Sequence, residues 1–335
     1  MNIMRWLFGV LLFCAFSANA QNKNWITFNA SEGAGKGKHI VLISGDEEYR
    51  SEEALPMLAR ILSQKHGFNC TVLFSVDPDE GLVDPKNQTN IPGLEALARA
   101  DLMLIFTRFR ELPDAQMKHI DEYLRKGKPV IGLRTSTHAF AYSRNKKSVY
   151  ARYSFDSKVK GWQDGFGKKV LGETWVDHHG IHGKEGARAL VNGIESNAKN
   201  PVLNGVSNIW VPTDVYTVRK LDSNCNVLLY GQSTNGMNPE APVNLEKSVM
   251  PLAWSRTYTM GNSKPGRVFT TTMGASVDLV NEDLRRLIIN ACYWATGLEK
   301  AIPMKADVQI VGAYEPTMFG FDSFKKGKKP ADFLK

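Results

Sequence analysis

Between residues 39 and 133, continuous apolar runs alternate with segments whose apolar residues recur at helical spacing. Residues 39–44, His-Ile-Val-Leu-Ile-Ser, end at Gly45 and read as a strand buried on both faces. Leu55, Leu58, Ile61 and Leu62 then predict a helix over 52–65, with Ser51 as its N-cap and Gly67 as its stop. A second strand is expected over 71–76, a short helix over 94–99 and a third strand over Leu102–Thr107. Met117, Ile120 and Leu124 form one apolar stripe on a helix spanning Asp114–Arg125, which Gly127 ends. The fourth strand is expected over 128–133. Strand–helix pairs of about 30 residues predict right-handed βαβ units and an α/β fold, doubly wound around a mainly parallel sheet.

The pattern loosens after residue 145. Residues 146–210 are rich in Gly, Lys, His and Asn, show little periodicity, and read as an inserted irregular segment. Strand patterns return over 214–219, 225–230, 250–256 and 267–272. A helix over 281–296 carries Leu284, Leu287, Ile288, Ala291 and Trp294 on one face. Residues 301–335 read as an extension that packs on the domain or stays partly flexible. Within it, the aromatic, turn-rich run Tyr314-Glu315-Pro316-Thr317-Met318-Phe319-Gly320-Phe321 reads first as simple packing on the domain, with a return toward the rim of the sheet as the alternative. No internal repeat and no linker marks a second domain, so 37–300 is read as one unit.

The first twenty residues change the picture of where the protein works. Arg5 supplies a positive start, 6–16 is an apolar run too short to span a bilayer, and Ala18-Asn19-Ala20 is a cleavage site. The expectation is an exported protein, periplasmic or secreted, cleaved between Ala20 and Gln21. Cys14 follows Phe13, a poor context for a lipoprotein signal. No later segment is long and apolar enough to predict stable membrane insertion. Three cysteines lie beyond the leader, Cys70, Cys225 and Cys292, without metal-type spacing; Cys70 and Cys292 are expected as buried small apolar residues.

The formal net charge of +8 is partly a lysine-rich tail, and no basic stripe is interleaved with aromatics, so nucleic acid is not an expected partner. At 43% hydrophobic residues, a chain of 335 can bury a proper core.

In open α/β sheets, ligands bind outside the carboxyl ends of the strands. That rule nominates Asp46-Glu47-Glu48-Tyr49-Arg50 after the first strand and Arg108-Phe109-Arg110 after the third. It adds Arg134-Thr135-Ser136-Thr137-His138 after the fourth, Arg256 after the 250–256 strand, and Met273-Gly274-Ala275-Ser276 after the last. The stretch Gly132 to Phe140 is a strand-to-helix turn, the place where many α/β enzymes present a nucleophile. Here it carries Arg134, Thr135, Ser136 and His138 but no cysteine.

A second constellation is Trp175-Val176-Asp177-His178-His179-Gly180-Ile181-His182-Gly183. Imidazoles and a carboxylate suit proton transfer and hydroxyl binding. They are also metal ligands, but the H-E-x-x-H spacing is absent. No cofactor is therefore expected, with His178 and His182 kept as candidates for a divalent metal. Trp162, Trp175, Trp254, Tyr49 and Phe140 add aromatic faces that suit the apolar side of a sugar ring.

Taken in order, several of these pieces resemble the ThuA-like family, named for trehalose utilisation. They are Ile43-Ser44-Gly45-Asp46, Phe106-Thr107-Arg108, Gly132-Leu133-Arg134 leading to His138-Ala139-Phe140, and Trp175 with His178-His179-Gly180. Pro251 to Arg256, Gly266 to Gly274 and Asn290 to Ala295 complete the set. The resemblance implies a flavodoxin-like, class I glutamine amidotransferase-like fold. That superfamily places its nucleophilic cysteine at the fourth-strand turn, where this chain has Thr135 and Ser136, so amidotransferase chemistry is not expected. A hydroxyl nucleophile there would need His138 as its base.

The family name implies disaccharide or keto-sugar catabolism, with a small-molecule carbohydrate as partner and a homo-oligomer left open. The expected chemistry is acid–base: hydrolysis, elimination or isomerisation. Glu47, Glu48, His138, His178, His179 and His182 are the candidates to move protons. Asp46, Tyr49, Arg108, Arg110, Arg134, Ser136, Trp175 and Arg256 are the candidates to hold substrate. Two alternatives stand beside this reading: a non-catalytic carbohydrate-binding protein on an enzyme scaffold, and a metal-dependent hydrolase using the His178–His182 segment.

Overall fold

A computed structural model describes residues 24–190 and 199–334. The leader and its cleavage point lie outside the described residues. Among the described residues, a ten-stranded mixed sheet organises the fold. Its elements are β1 (Trp25–Phe28), β2 (His39–Gly45), α1 (Ser51–His66), β3 (Asn69–Phe74), β4 (Leu102–Thr107), α2 (Asp114–Arg125) and β5 (Val130–Leu133). Then follow β6 (Ala187–Leu190), β7 (Trp210–Val211), β8 (Asn226–Ser233), β9 (Met250–Tyr258), β10 (Gly266–Thr271) and α3 (Glu282–Ala295). The strand order is β1-β3-β2-β4-β5-β10-β9-β8-β6-β7.

The stretch β3-β2-β4-β5-β10 is parallel throughout. Along β2, Ile40 and Leu42 enter one core with α1 and α3, while Val41 and Ile43 enter the other with α2. Helices on both faces explain why the strands read as unbroken apolar runs instead of alternating ones. Truncating a fully buried side chain such as Phe106 would cost about 3–5 kcal/mol.

Most elements sit where the apolar pattern puts them, and the departures have physical reasons. Ser51 does not cap α1. Arg50 occupies the N-cap position with left-handed backbone, and the Ser51 hydroxyl accepts from the Gly45 and Asp46 amides, tying the strand end to the helix start. Gly67 ends α1 at φ 77°, which a side chain would resist; an added Cβ would also lie 2.8 Å from the Gly33 Cα.

The strand expected over 214–219 forms only an isolated bridge between His178 and Tyr216. Three strands escaped the pattern, β1, β6 and β7, all short and at or near the sheet's edges. Cys70 and Cys292 are buried free thiols, as expected, and Cys225 is a half-buried one. No described helix is long and apolar enough to cross a membrane.

Beyond α3 the chain runs back over α1. Arg60 donates to the Val311 carbonyl, and Phe333 stacks on Phe74 at 5.5 Å. This cover is why α1 buries Glu52, Glu53 and Arg60 as well as its apolar stripe.

Candidate active site at the carboxyl ends of the parallel strands

The loop after β2 is built by Asp46. One of its oxygens accepts from the Glu48 and Tyr49 amides at 2.7 and 2.5 Å, and the other from the Thr135 hydroxyl. Asp46 is fully buried and spent on this turn, so it shapes the site instead of meeting a ligand. The turn lifts Glu47, Glu48 and Tyr49 onto the rim. After β4, Arg108 pairs with Glu47, and its Nε lies 3.3 Å from Glu48. Arg110 is fully buried; it holds Glu47 at 2.7 Å and donates to the Pro85 and Asn87 carbonyls, so it too is scaffold.

At the turn after β5, the left-handed residue is Arg134 (φ 40°), a strained setting for a side chain this bulky. Its guanidinium is 0% exposed and lies between the rings of Tyr49 and Tyr216, 4.2 and 4.3 Å from their centroids. It donates to the Thr272 carbonyl at 2.8 Å, the Tyr49 hydroxyl at 3.1 Å and Asp214 Oδ1 at 2.9 Å.

The Ser136 hydroxyl donates to the Ile105 and Leu133 carbonyls, and Thr135 is held by Asp46. Neither hydroxyl is paired with His138, whose Nδ1 is 3.4 Å from the Thr137 hydroxyl. Neither Thr135 nor Ser136 is therefore set up as a nucleophile with His138 as its base. His138 is 3% exposed among Phe109, Trp175 and Tyr216. Burial, then Arg108 and Arg134, pushes its pKa well below the ordinary imidazole value, leaving it neutral.

Asp214 joins the two halves of the site. Its Oδ2 lies 2.6 Å from His178 Nδ1, and its Oδ1 lies 3.3 Å from His182 Nδ1. Burial opposes its charge, but the bonds from His178 and His182 and the charge of Arg134 hold its carboxyl well below the usual range. An ionised carboxylate only accepts, so both Nδ1 atoms carry protons. His178 Nε2 is the ring nitrogen that Asp214 does not engage, on a ring still partly exposed. The Nε2 of His182 meets Glu48 at 3.3 Å instead. With carboxylates at both nitrogens, His182 is drawn toward the imidazolium form, its pKa raised chiefly by the Asp214 hydrogen bond. Burial raises the Glu48 pKa against the pull of Arg108. The His178 and His182 rings are 4.8 Å apart, and Trp175 stands edge-on to His178 at 5.8 Å.

Two candidates lie elsewhere. The ring of His179 turns outward to the Ser248 carbonyl at 2.8 Å. Arg256 sits near the far end of the sheet, because β9 runs antiparallel to β10: Arg256 pairs with Val268, and Val268 with Val130 at the start of β5. There it donates to the Lys168 carbonyl. Sequence reasoning missed Asp214 and Tyr216 as site residues. Their i, i+2 spacing within the 214–219 pattern was the available signal, since alternation puts both on one side.

A family model for trehalose utilisation, ThuA, matches residues 40–295. The chain belongs to the ThuA family. Similar solved structures include a ThuA-like protein of Bacteroides uniformis, 13% identical, with 80% of this chain and 95% of that one covered and a TM-score of 0.47. A ThuA-like protein of Parabacteroides merdae is also 13% identical, covering 78% of this chain and 90% of that one, with a TM-score of 0.47. No curated protein matches this chain. Within the ThuA stretch lie both halves of the site, from Glu48 through Arg134 to His178, His182 and Asp214.

Proposed function

We propose that this ThuA protein is an exported enzyme that performs acid–base chemistry on a disaccharide or keto-sugar, by hydrolysis, elimination or isomerisation. The observation that carries the reading is the single carboxylate, Asp214, that orients two imidazoles. His178 Nε2 serves as base, in the manner of any histidine whose other nitrogen is held by a buried carboxylate. His182, paired to Glu48, supplies the acid. Arg108 stabilises negative charge developing on a substrate oxygen, and Trp175 offers an apolar face to a ring.

The parallel strands taken in chain order are arranged 2-1-3-4-5, which supports a flavodoxin-like, doubly wound assignment. The test is product analysis of mature protein incubated with trehalose, other disaccharides and their 3-keto derivatives. Wild type should form product, and His178→Asn and His182→Gln should not. Sugar binding without product in wild type would favour a binding protein on an enzyme scaffold.

One observation favours a second reading. His178, His182 and Asp214 each offer a ligand atom, all within 4.8 Å of one another. Two imidazoles and a carboxylate are a donor set for zinc or a related divalent ion, which would polarise a substrate oxygen as a Lewis acid. Metal analysis of untagged protein decides it: stoichiometric metal that chelation removes together with activity would favour this reading over the proton relay.

A further inference from the structure

The C-terminal extension lies beyond the stretch matched by the family model, yet it reaches the site. Thr317 donates both its amide and its hydroxyl to Glu53, each at 2.7 Å. Tyr314 donates to the Ser276 carbonyl at 2.7 Å. The Gly320 amide donates to the Glu48 carbonyl at 2.8 Å, and Arg50 donates to the Gly320 carbonyl at 2.5 Å and to the Ser323 hydroxyl. Gly320 makes these bonds at φ 135°, a backbone shape that side chains resist. The extension is thus fastened to the same loop and helix start, 46–53, that carry Glu48 and Tyr49.

The fastening sets two rings on the rim. Phe319 lies 5.5 Å from the Tyr49 ring and 5.4 Å from the His182 ring. Phe321 stands over the Arg108 guanidinium at 5.1 Å and remains 55% exposed.

From this juxtaposition we infer that Phe319 and Phe321 form an aromatic wall of the ligand site, on which the apolar C–H face of a sugar ring rests while Arg108 and His182 meet its oxygens. The inference rests on the carbohydrate reading above and deepens it: the wall selects cyclic sugars over open-chain polyols and sets affinity more than chemistry. Phe319 and Phe321 are specificity-determining residues outside the family's matched stretch, with no part in proton transfer.

The experiment titrates trehalose, 3-ketotrehalose and the open-chain polyol sorbitol into full-length mature protein and into Phe319→Ala, Phe321→Ala and Phe319→Tyr, by calorimetry. Turnover is measured wherever product forms. Each alanine variant should bind the cyclic sugars about tenfold more weakly, with KM raised and kcat nearly unchanged, and Phe319→Tyr should restore most of the affinity. Because Phe321 is exposed, Phe321→Ala keeps its melting temperature and separates lost contact from lost fold. Wild-type affinity in both alanine variants would overturn the wall and leave the carbohydrate reading standing. Tighter binding in the alanine variants would overturn it too, making the tail a block instead of a wall. No sugar binding by wild type would overturn the carbohydrate reading and the wall with it.

Discussion

His178 and Asp214 are 36 positions apart in the chain, and their side chains meet at 2.6 Å. Asp214 is in turn gripped by Arg134, which is buried between two tyrosine rings. His178 is therefore the exposed end of a buried, charge-compensated stack.

Removing the charge from that stack strands Arg134. Asp214→Asn keeps the shape but leaves a buried guanidinium without its carboxylate. Unfolding in urea should show a loss of about 3–5 kcal/mol. A loss below about 1 kcal/mol would mean that Arg134 is compensated by other groups.

His182 makes stability depend on pH with a definite sign. Its folded pKa is raised above the unfolded 6.5, so the stabilisation is fully present below pH 6.5 and disappears as pH rises through the folded value. His182→Gln should therefore be less stable than wild type at pH 5.5 and match it at pH 9. Equal stability losses at both pH values would show that packing, not charge, sets the cost.

Glu52 is buried at the start of α1 with neither carboxyl oxygen hydrogen-bonded. Burial pushes its pKa up to about 8, against 4.5 when unfolded. The native state holds a proton that the unfolded chain releases, so this group's contribution falls by about 1.4 kcal/mol per pH unit between those values. Glu52→Gln should raise the melting temperature at pH 8 and flatten its pH dependence. A melting curve at pH 8 identical to wild type would refute an unpartnered Glu52.

Ser136→Ala tests the empty nucleophile position. The hydroxyl bridges the Ile105 and Leu133 carbonyls, so its loss should cost about 1–2 kcal/mol. Turnover of any sugar the wild type converts should persist. Abolished turnover in a folded Ser136→Ala protein would restore a covalent mechanism.

Arg256→Gln probes the direction of β9. With Arg256 toward the opposite end of the sheet from Glu48, sugar affinity and turnover should match wild type. A tenfold change in either would place Arg256 in the site after all.

What the sequence determined by itself is the local frame. The apolar runs of β2, β4 and β5, the 3.6-residue stripes of α2 and α3, and the stop at Gly67 are set by near neighbours, so they could be read directly. The strand-end rule then located Glu48, Tyr49, Arg108 and Arg134, because parallel strands present their carboxyl ends together. Three things were decided only by tertiary structure. The antiparallel return of β9 removed Arg256, since strand direction leaves no mark in an apolar pattern. The crossing of 177–182 with 214–217 brought Asp214 to the histidines, a contact made by two irregular segments with no shared periodicity. The tail's path over α1 placed Phe319 beside His182, and that path depends on hydrogen bonds between groups some 270 positions apart, such as Arg50 and Gly320.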